Sequence, residues 1–182
     1  MSQLQHKPMM PAEFLAWEAK QELKWEFDGF QPVAMTGSTD AHAAIQGNLL
    51  TALNIRLRGT QCYSRGPDIK VEIGPKYRYP DAFVSCTRVA PSATIAAEPV
   101  VIFEILSEST AKTDRTTKLI EYQSLPSVQR YVLLEQDQAV VTVITRGDTE
   151  WTIKMLDATE TLAMPEIDVE IPVIELYEGL EL

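Results

Sequence analysis

The sequence predicts a mixed α/β (α+β) fold in one domain, residues 1–182. Three observations carry this expectation. Periodic segments follow one another as helix, hairpin, helix, strands, helix, strands, the order of a mixed layered fold. The run PVVIFEILS at 99–107 is apolar on both faces, as a central strand covered from each side must be. Apolar residues make up 45% of the chain, enough for a buried core in a domain of this length.

The first helix is expected from Pro11 through AEFLAWEAKQEL, with Phe14, Leu15, Trp17, Ala19 and Leu23 at helical spacing and proline at a first-turn position. WEFDGFQPVAM at 25–35 alternates on either side of Asp28-Gly29, a hairpin signal. The polar segment 36–40 offers N-caps for a second helix, whose apolar face is Ile45, Leu49, Ala52, Leu53 and Leu57 and whose end is Arg58-Gly59. Strands are expected at 61–65, 69–73, 81–86 and 99–107. A third helix covers TAKTDRTTKLIEYQSL and is stopped by Pro126; 130–136 and 139–146 form a hairpin around Asp137-Gln138. WTIKML at 151–156 adds a strand, and VEIPVIELYEGL closes the chain with a strand and a short helical turn.

Charged residues, 23% of the chain, are near the globular average, which excludes a disordered chain. No apolar run exceeds four residues, against the roughly 20 that a membrane helix needs, so no membrane association is expected. The N-terminus has no apolar leader segment, and a cytoplasmic location follows. Cys62 and Cys86 lack metal-type spacing and are expected as two reduced, half-buried thiols. The net charge is −10 and unevenly spread. Residues 56–130 hold eleven basic and eight acidic side chains, whereas 131–182 hold two basic and twelve acidic ones. This excludes a non-specific nucleic-acid coat and leaves the central segment as the place for a local phosphate site.

The informative constellation is Pro80-Asp81 heading one strand and Glu104 inside the next. A carboxylate in an apolar strand costs several kcal/mol unless compensated, so Glu104 calls for a cation, a basic partner or a proton. Asp81 and Glu104 on neighbouring strands would share a hard divalent cation, Mg or Mn, which takes one or two carboxylates plus waters and phosphate oxygens. Such an ion activates its water for attack on phosphorus. Downstream, Lys118 follows Asp114 by four residues and Arg115 by three, placing all three on one helix face. There Lys118 either reaches the site or forms a solvated pair with Asp114. Glu26 and His42 are accessory candidates: Glu26 as a third carboxylate or a hairpin-edge charge, His42 as a phosphate contact or a helix cap. Asp68 is a weaker candidate for an outer position. Tyr122 and Tyr131 read as core residues rather than base-stacking platforms.

These residues bring a resemblance into view. P-D-x-x-V, then V-x-x-E-I-L-S-E-S-T, then D-R-x-x-K and R-Y-V-L-L resemble the Uma-two family of the restriction-endonuclease-like superfamily. The stretch WEFDGFQPVAMTGSTDAHAAIQGNLLTAL is similar to that family's opening, so the likeness runs over about 12–145. The resemblance implies a restriction endonuclease-like core, a central mixed β-sheet flanked by helices, here with an additional C-terminal antiparallel strand segment. It implies a PD-(D/E)XK metal site with Asp81 and Glu104 as ligands, the Ile105 carbonyl as a further ligand, and Asp81, Glu104 and Lys118 as catalytic residues. The superfamily lysine position, two residues after the glutamate, is Leu106 here, so Lys118 on the following helix takes that role. The implied activity is metal-dependent endonucleolytic hydrolysis of DNA through a metal-activated water, in a homodimer. The alternative is a nuclease-fold binding or regulatory module with weak or no turnover, favoured by the acidic balance and by Leu106. A two-carboxylate glycosidase would need aromatic sugar platforms around the acids, and the aromatics lie elsewhere.

Overall fold

The computed structural model describes residues 8–35 and 37–182; residues 1–7, part of the N-terminal stretch considered above for a leader, and Thr36 of the cap-rich segment lie outside them. The chain opens with α1 (Pro11–Glu18), β1 (Trp25–Phe27), β2 (Pro32–Ala34) and α2 (Asp40–Arg56). Helix α1 stops five residues before the expected end at Leu23. Its last residue, Glu18, turns inward to Lys70 and Tyr79, and Gln21 caps the Trp17 carbonyl through its side chain. The β1–β2 turn is set locally: Asp28 Oδ1 accepts from the N–H groups of Phe30 and Gln31, and Gly29 takes φ +96°, a conformation that favours glycine. Thr39 caps α2 by accepting from His42 N at 3.2 Å.

Next come β3 (Tyr63–Arg65), β4 (Val71–Ile73), β5 (Lys76–Arg78), β6 (Ala82–Ser85) and β7 (Pro99–Ile105). They are followed by α3 (Ala111–Thr113), a π-helical turn (Asp114–Lys118) and α4 (Leu119–Gln123). The chain ends with β8 (Arg130–Leu134), β9 (Val141–Arg146), β10 (Trp151–Leu156), β11 (Thr161–Met164), β12 (Val169–Pro172) and α5 (Val173–Leu176). The main sheet has the order β10-β9-β8-β7-β6-β3. Its β7–β8 pair is parallel and the others are antiparallel. A parallel pair needs a crossover of a dozen or so residues, and the α3–π–α4 segment supplies it. β7 is thus central, as its two-faced apolarity requires. A second sheet, β2-β1-β5-β4, and the β11–β12 hairpin complete the strands.

One face of the main sheet packs on α2, β11, β12 and α5 through Leu49, Leu53, Phe103, Val132, Ile171 and Leu176. The other face packs on β4 and the crossover through Val71, Phe83, Ile102, Leu106, Tyr122 and Tyr131. Phe14, Phe27 and Tyr77 join α1 to the small sheet. Among the described residues no helix is long and apolar enough to cross a membrane.

One expectation is corrected here. Cys62 and Cys86 form a disulfide rather than two reduced thiols. Tyr63 pairs with Ser85, and continuing that antiparallel register by one residue sets the two cysteines opposite each other. Strand pairing creates the bond, and no spacing rule would reveal it.

Candidate active site

Ala82 pairs with Phe103, so one further step of the β6–β7 register sets Asp81 opposite Glu104. Directly opposed side chains on adjacent strands have Cβ atoms about 5 Å apart. Asp81 is fixed where the sheet ends: its Oδ2 accepts from Ile105 N at 2.7 Å. From α2, Gln46 Nε2 donates to the Asp81 carbonyl at 3.0 Å, and His42 Nε2 lies 3.2 Å from Asp81 Oδ1. His42 thus meets the site itself, through a ring whose Nδ1 is buried without a hydrogen-bond partner.

Glu104, 3% exposed, has the basic partner its position demanded. Lys118 Nζ donates to its Oε1 at 2.9 Å, and the Tyr122 hydroxyl donates to the same oxygen at 2.9 Å. The π turn makes this contact possible. It directs both Asp114 and Lys118 inward, at 1% and 6% exposure, with Asp114 Oδ1 3.0 Å from Lys118 Nζ. The Asp114–Lys118 pair is therefore buried rather than solvated. Arg115 does not share that face; it is half-exposed and pairs with Glu135. Single π turns inside helices recur at functional sites.

Glu26 arrives from β1 and lies 3.7 Å from Lys118 Nζ. Its other partners are Arg78 Nη1 at 3.0 Å and Tyr79 N at 3.1 Å. Arg78 in turn grips Glu121 of α4 through Nε at 2.7 Å and Nη2 at 2.9 Å. Asp68 plays no part: it is exposed and pairs with Lys24. Tyr131 donates to the Asp114 carbonyl at 3.0 Å. Both tyrosines are core residues, as expected, but their hydroxyls brace the π turn and Glu104.

The electrostatics follow from burial and crowding. Burial pushes the Glu104 carboxyl well above its usual range; Lys118 opposes this, while Asp81, Asp114 and Glu26 reinforce it. For Lys118, burial works against the charge, yet Glu104, Glu26 and Asp114 outweigh it and raise the pKa, keeping the ammonium protonated. Three carboxylates, Glu26, Glu104 and Asp114, crowd one ammonium, with Asp81 facing Glu104 beside them; among the described residues only Glu26 of the three has a second cation partner, Arg78. Glu26, His42, Asp81, Glu104, Asp114 and Lys118 all line one cleft of about 860 Å³.

This donor set fits a hard divalent cation. The carboxylate excess calls for positive charge, both hydrogen bonds to Glu104 fall on Oε1, and Asp114 Oδ1 lacks a hydrogen bond despite its ion pair. Among the described residues no group of three or more His, Cys, Asp or Glu side chains is placed to hold a metal ion. A magnesium-type site requires only one or two carboxylates, with waters and substrate completing the shell. Asp81 and Glu104 would hold it, with the Ile105 backbone at the same end of β7. Sequence reasoning missed Gln46, Arg78 and Glu121. Arg78 and Glu121 carried a signal only as charged residues within apolar neighbourhoods.

The family described as "Uma2: Putative restriction endonuclease" matches residues 11–173. "Uncharacterized protein slr1290" of Synechocystis sp. is 30% identical over 176 residues, covering 94% of this chain and 93% of its own. "Uncharacterized protein sll1609" of the same organism is 27% identical over 156 residues, 82% of this chain and 88% of its own. The crystal structure of "a putative nuclease belonging to DUF820" from Anabaena variabilis is alike with a TM-score of 0.77. That likeness covers 93% of this chain and 98% of the other at 19% identity, and is a likeness of fold.

Proposed function

Since the chain belongs to the Uma2 family and has a nuclease-like fold, we propose that it is an endonuclease that hydrolyses DNA phosphodiester bonds with a divalent cation, Mg or Mn. The observation that carries this reading is the meeting of Glu104 and Lys118 at 2.9 Å in the cleft that Asp81 also lines. A bound cation would supply charge neutralisation at phosphorus and an activated water. The protein's own groups do the rest. Asp81 is oriented by Ile105 N and Gln46, and Glu104 by Lys118 and Tyr122. Lys118, held protonated, offers N–H groups to the non-bridging oxygens, where charge grows in the transition state. The strand position two residues after Glu104 has no such access, because Leu106 is buried in the tyrosine-side core. A homodimer would present two such clefts to the two strands of a duplex.

The test is cleavage of supercoiled and linear duplex DNA with magnesium or manganese. Wild type is expected to nick and cut, chelation to stop it, and Asp81→Asn with Glu104→Gln to lower the rate by at least about 10²-fold, the cost of losing one transition-state charge stabiliser. Failure of the wild type to cut with any divalent metal would favour the binding-module reading. One observation supports that second reading: Lys24, Arg78 and Lys118, the cations lining the cleft, are all committed to carboxylates.

A further inference from the structure

The commitment of those cations raises a question of charge. The cleft also carries Glu26, Asp28, Asp81, Glu104, Glu108 and Asp114, so it repels the phosphates flanking a scissile bond. Affinity for a polyanion comes mainly from cations that neutralise phosphates, and these must lie outside the cleft.

Along β3, Arg65 and Tyr63 share one face of the strand. Ser64, between them, bonds Asn54 of α2 on the opposite face at 2.9 Å. Arg65 pairs with Phe83 of β6, and Phe83 packs with Tyr122, the residue that bonds Glu104. Arg65 is therefore on the sheet face that carries the site. Two residues on, Pro67 lines the cleft, and a Cβ on Gly66 would stand 3.9 Å from the Asp81 carbonyl oxygen. The Arg65 guanidinium carbon lies 4.5 Å from the Tyr63 ring centre, and that of Arg88 lies 5.6 Å from the same centre. Both arginines are exposed, and among the described residues neither has a carboxylate partner. The nearby Glu98 is held by the Thr87 hydroxyl at 2.6 Å.

A guanidinium stacked on an aromatic ring keeps its in-plane donors free and loses less freedom when it grips a phosphate in two-pronged fashion. One Arg65 donor goes to the Ser64 carbonyl at 2.7 Å; the others are available. Two like charges on one ring also gain when an anion bridges them.

We propose that Tyr63, Arg65 and Arg88 form a phosphate track that holds the nucleic-acid backbone beside the cleft. The proposal rests on the nuclease reading and adds where the backbone is held. It is tested with a labelled DNA duplex of about 20 base pairs, a length chosen to exceed the 6–10 phosphates that such proteins contact. Binding is followed by anisotropy across a KCl series in calcium buffer, and cleavage is measured in magnesium.

Arg65→Ala with Arg88→Ala is expected to lower the slope of log K against log salt by about 2, near 1 per phosphate contact. KM should rise at least about tenfold as uniform binding is lost, with kcat within about twofold of wild type. Tyr63→Leu should weaken binding while keeping most of the slope, and Tyr63→Phe should restore it. Lys154→Ala, on β10 at the opposite edge of the sheet, should leave the slope unchanged. A wild type that cuts DNA beside a double arginine variant with unaltered slope overturns the track alone. So does an equal slope change in Lys154→Ala. A wild type that neither binds nor cuts DNA overturns the track and the nuclease reading together.

Discussion

Replacing Lys118 by methionine is expected to destabilise the protein by about 3–5 kcal/mol, the cost of stranding a buried charge by removing its partner. An exposed Asp–Lys pair at the same i,i+4 spacing would be worth only about 0.3–0.5 kcal/mol, so the magnitude separates the two situations. Lys118 is 6% exposed and contacts Glu104 at 2.9 Å, Asp114 at 3.0 Å and Glu26 at 3.7 Å. Methionine matches the lysine stem and leaves little cavity, so the loss reports charge rather than packing. Adding Glu104→Gln should return a large share of the stability, because an amide in that place carries no charge to compensate. Urea unfolding of the four proteins in the cycle measures this. A Lys118→Met loss below about 1 kcal/mol, the range of a surface pair, would place the ammonium in solvent.

Arg78→Met is expected to cost a similar amount, about 3–5 kcal/mol by the same argument of stranded charge. Here two carboxylates lose their closest partner: Glu26, held through Nη1 and left with Lys118 at 3.7 Å, and Glu121, held through Nε and Nη2 and left with the half-exposed Lys76. Lysine should rescue poorly, because a point charge cannot reproduce a fork that grips two acids at once. The deficit has a defined pH dependence. Burial disfavours the Glu121 charge, but Arg78 and Lys76 overcome it and hold its carboxyl below the ordinary value. An acid whose folded pKa is depressed binds fewer protons folded than unfolded. Its contribution is complete above the unfolded value of about 4.3 and is lost as pH falls through the folded value. The gap between wild type and Arg78→Met should therefore be widest near neutrality and narrow in acid. A gap that widens in acid would mean that Glu121 does not draw its stability from Arg78.

The parts legible in the sequence are those where one residue violates a strong local pattern. Glu104 breaks an apolar run that only a central strand explains, and β7 is that strand. The turn residues Asp28-Gly29 and Asp137-Gln138 mark hairpins that form as read. What escaped the sequence has physical reasons. β4 falls inside the strand expected at 69–73, but β5 is three residues long, too short for periodicity to register, so the strand that carries Arg78 was invisible. β11 was missed on the same ground. The Cys62–Cys86 bond depends on strand register between positions separated by 24 in sequence. The π turn carries no mark of its own: an i,i+4 Asp–Lys pair reads alike whether solvated or turned inward. Only the partner waiting on β7 decides, and that partner lies 14 residues upstream.

The most direct measurement is the melting temperature of wild type and of Asp81→Asn with Glu104→Gln, each with and without magnesium or manganese. A ligand that binds only the folded state at 100 times its Kd adds about 2.7 kcal/mol, which for a chain of this size is a rise of roughly 5–10 °C. That rise is expected in wild type, and its loss in the variant, if Asp81 at the head of β6 and Glu104 of β7, which the register sets opposite each other, form one cation site. An equal rise in both proteins, or none in wild type at millimolar metal, would contradict it.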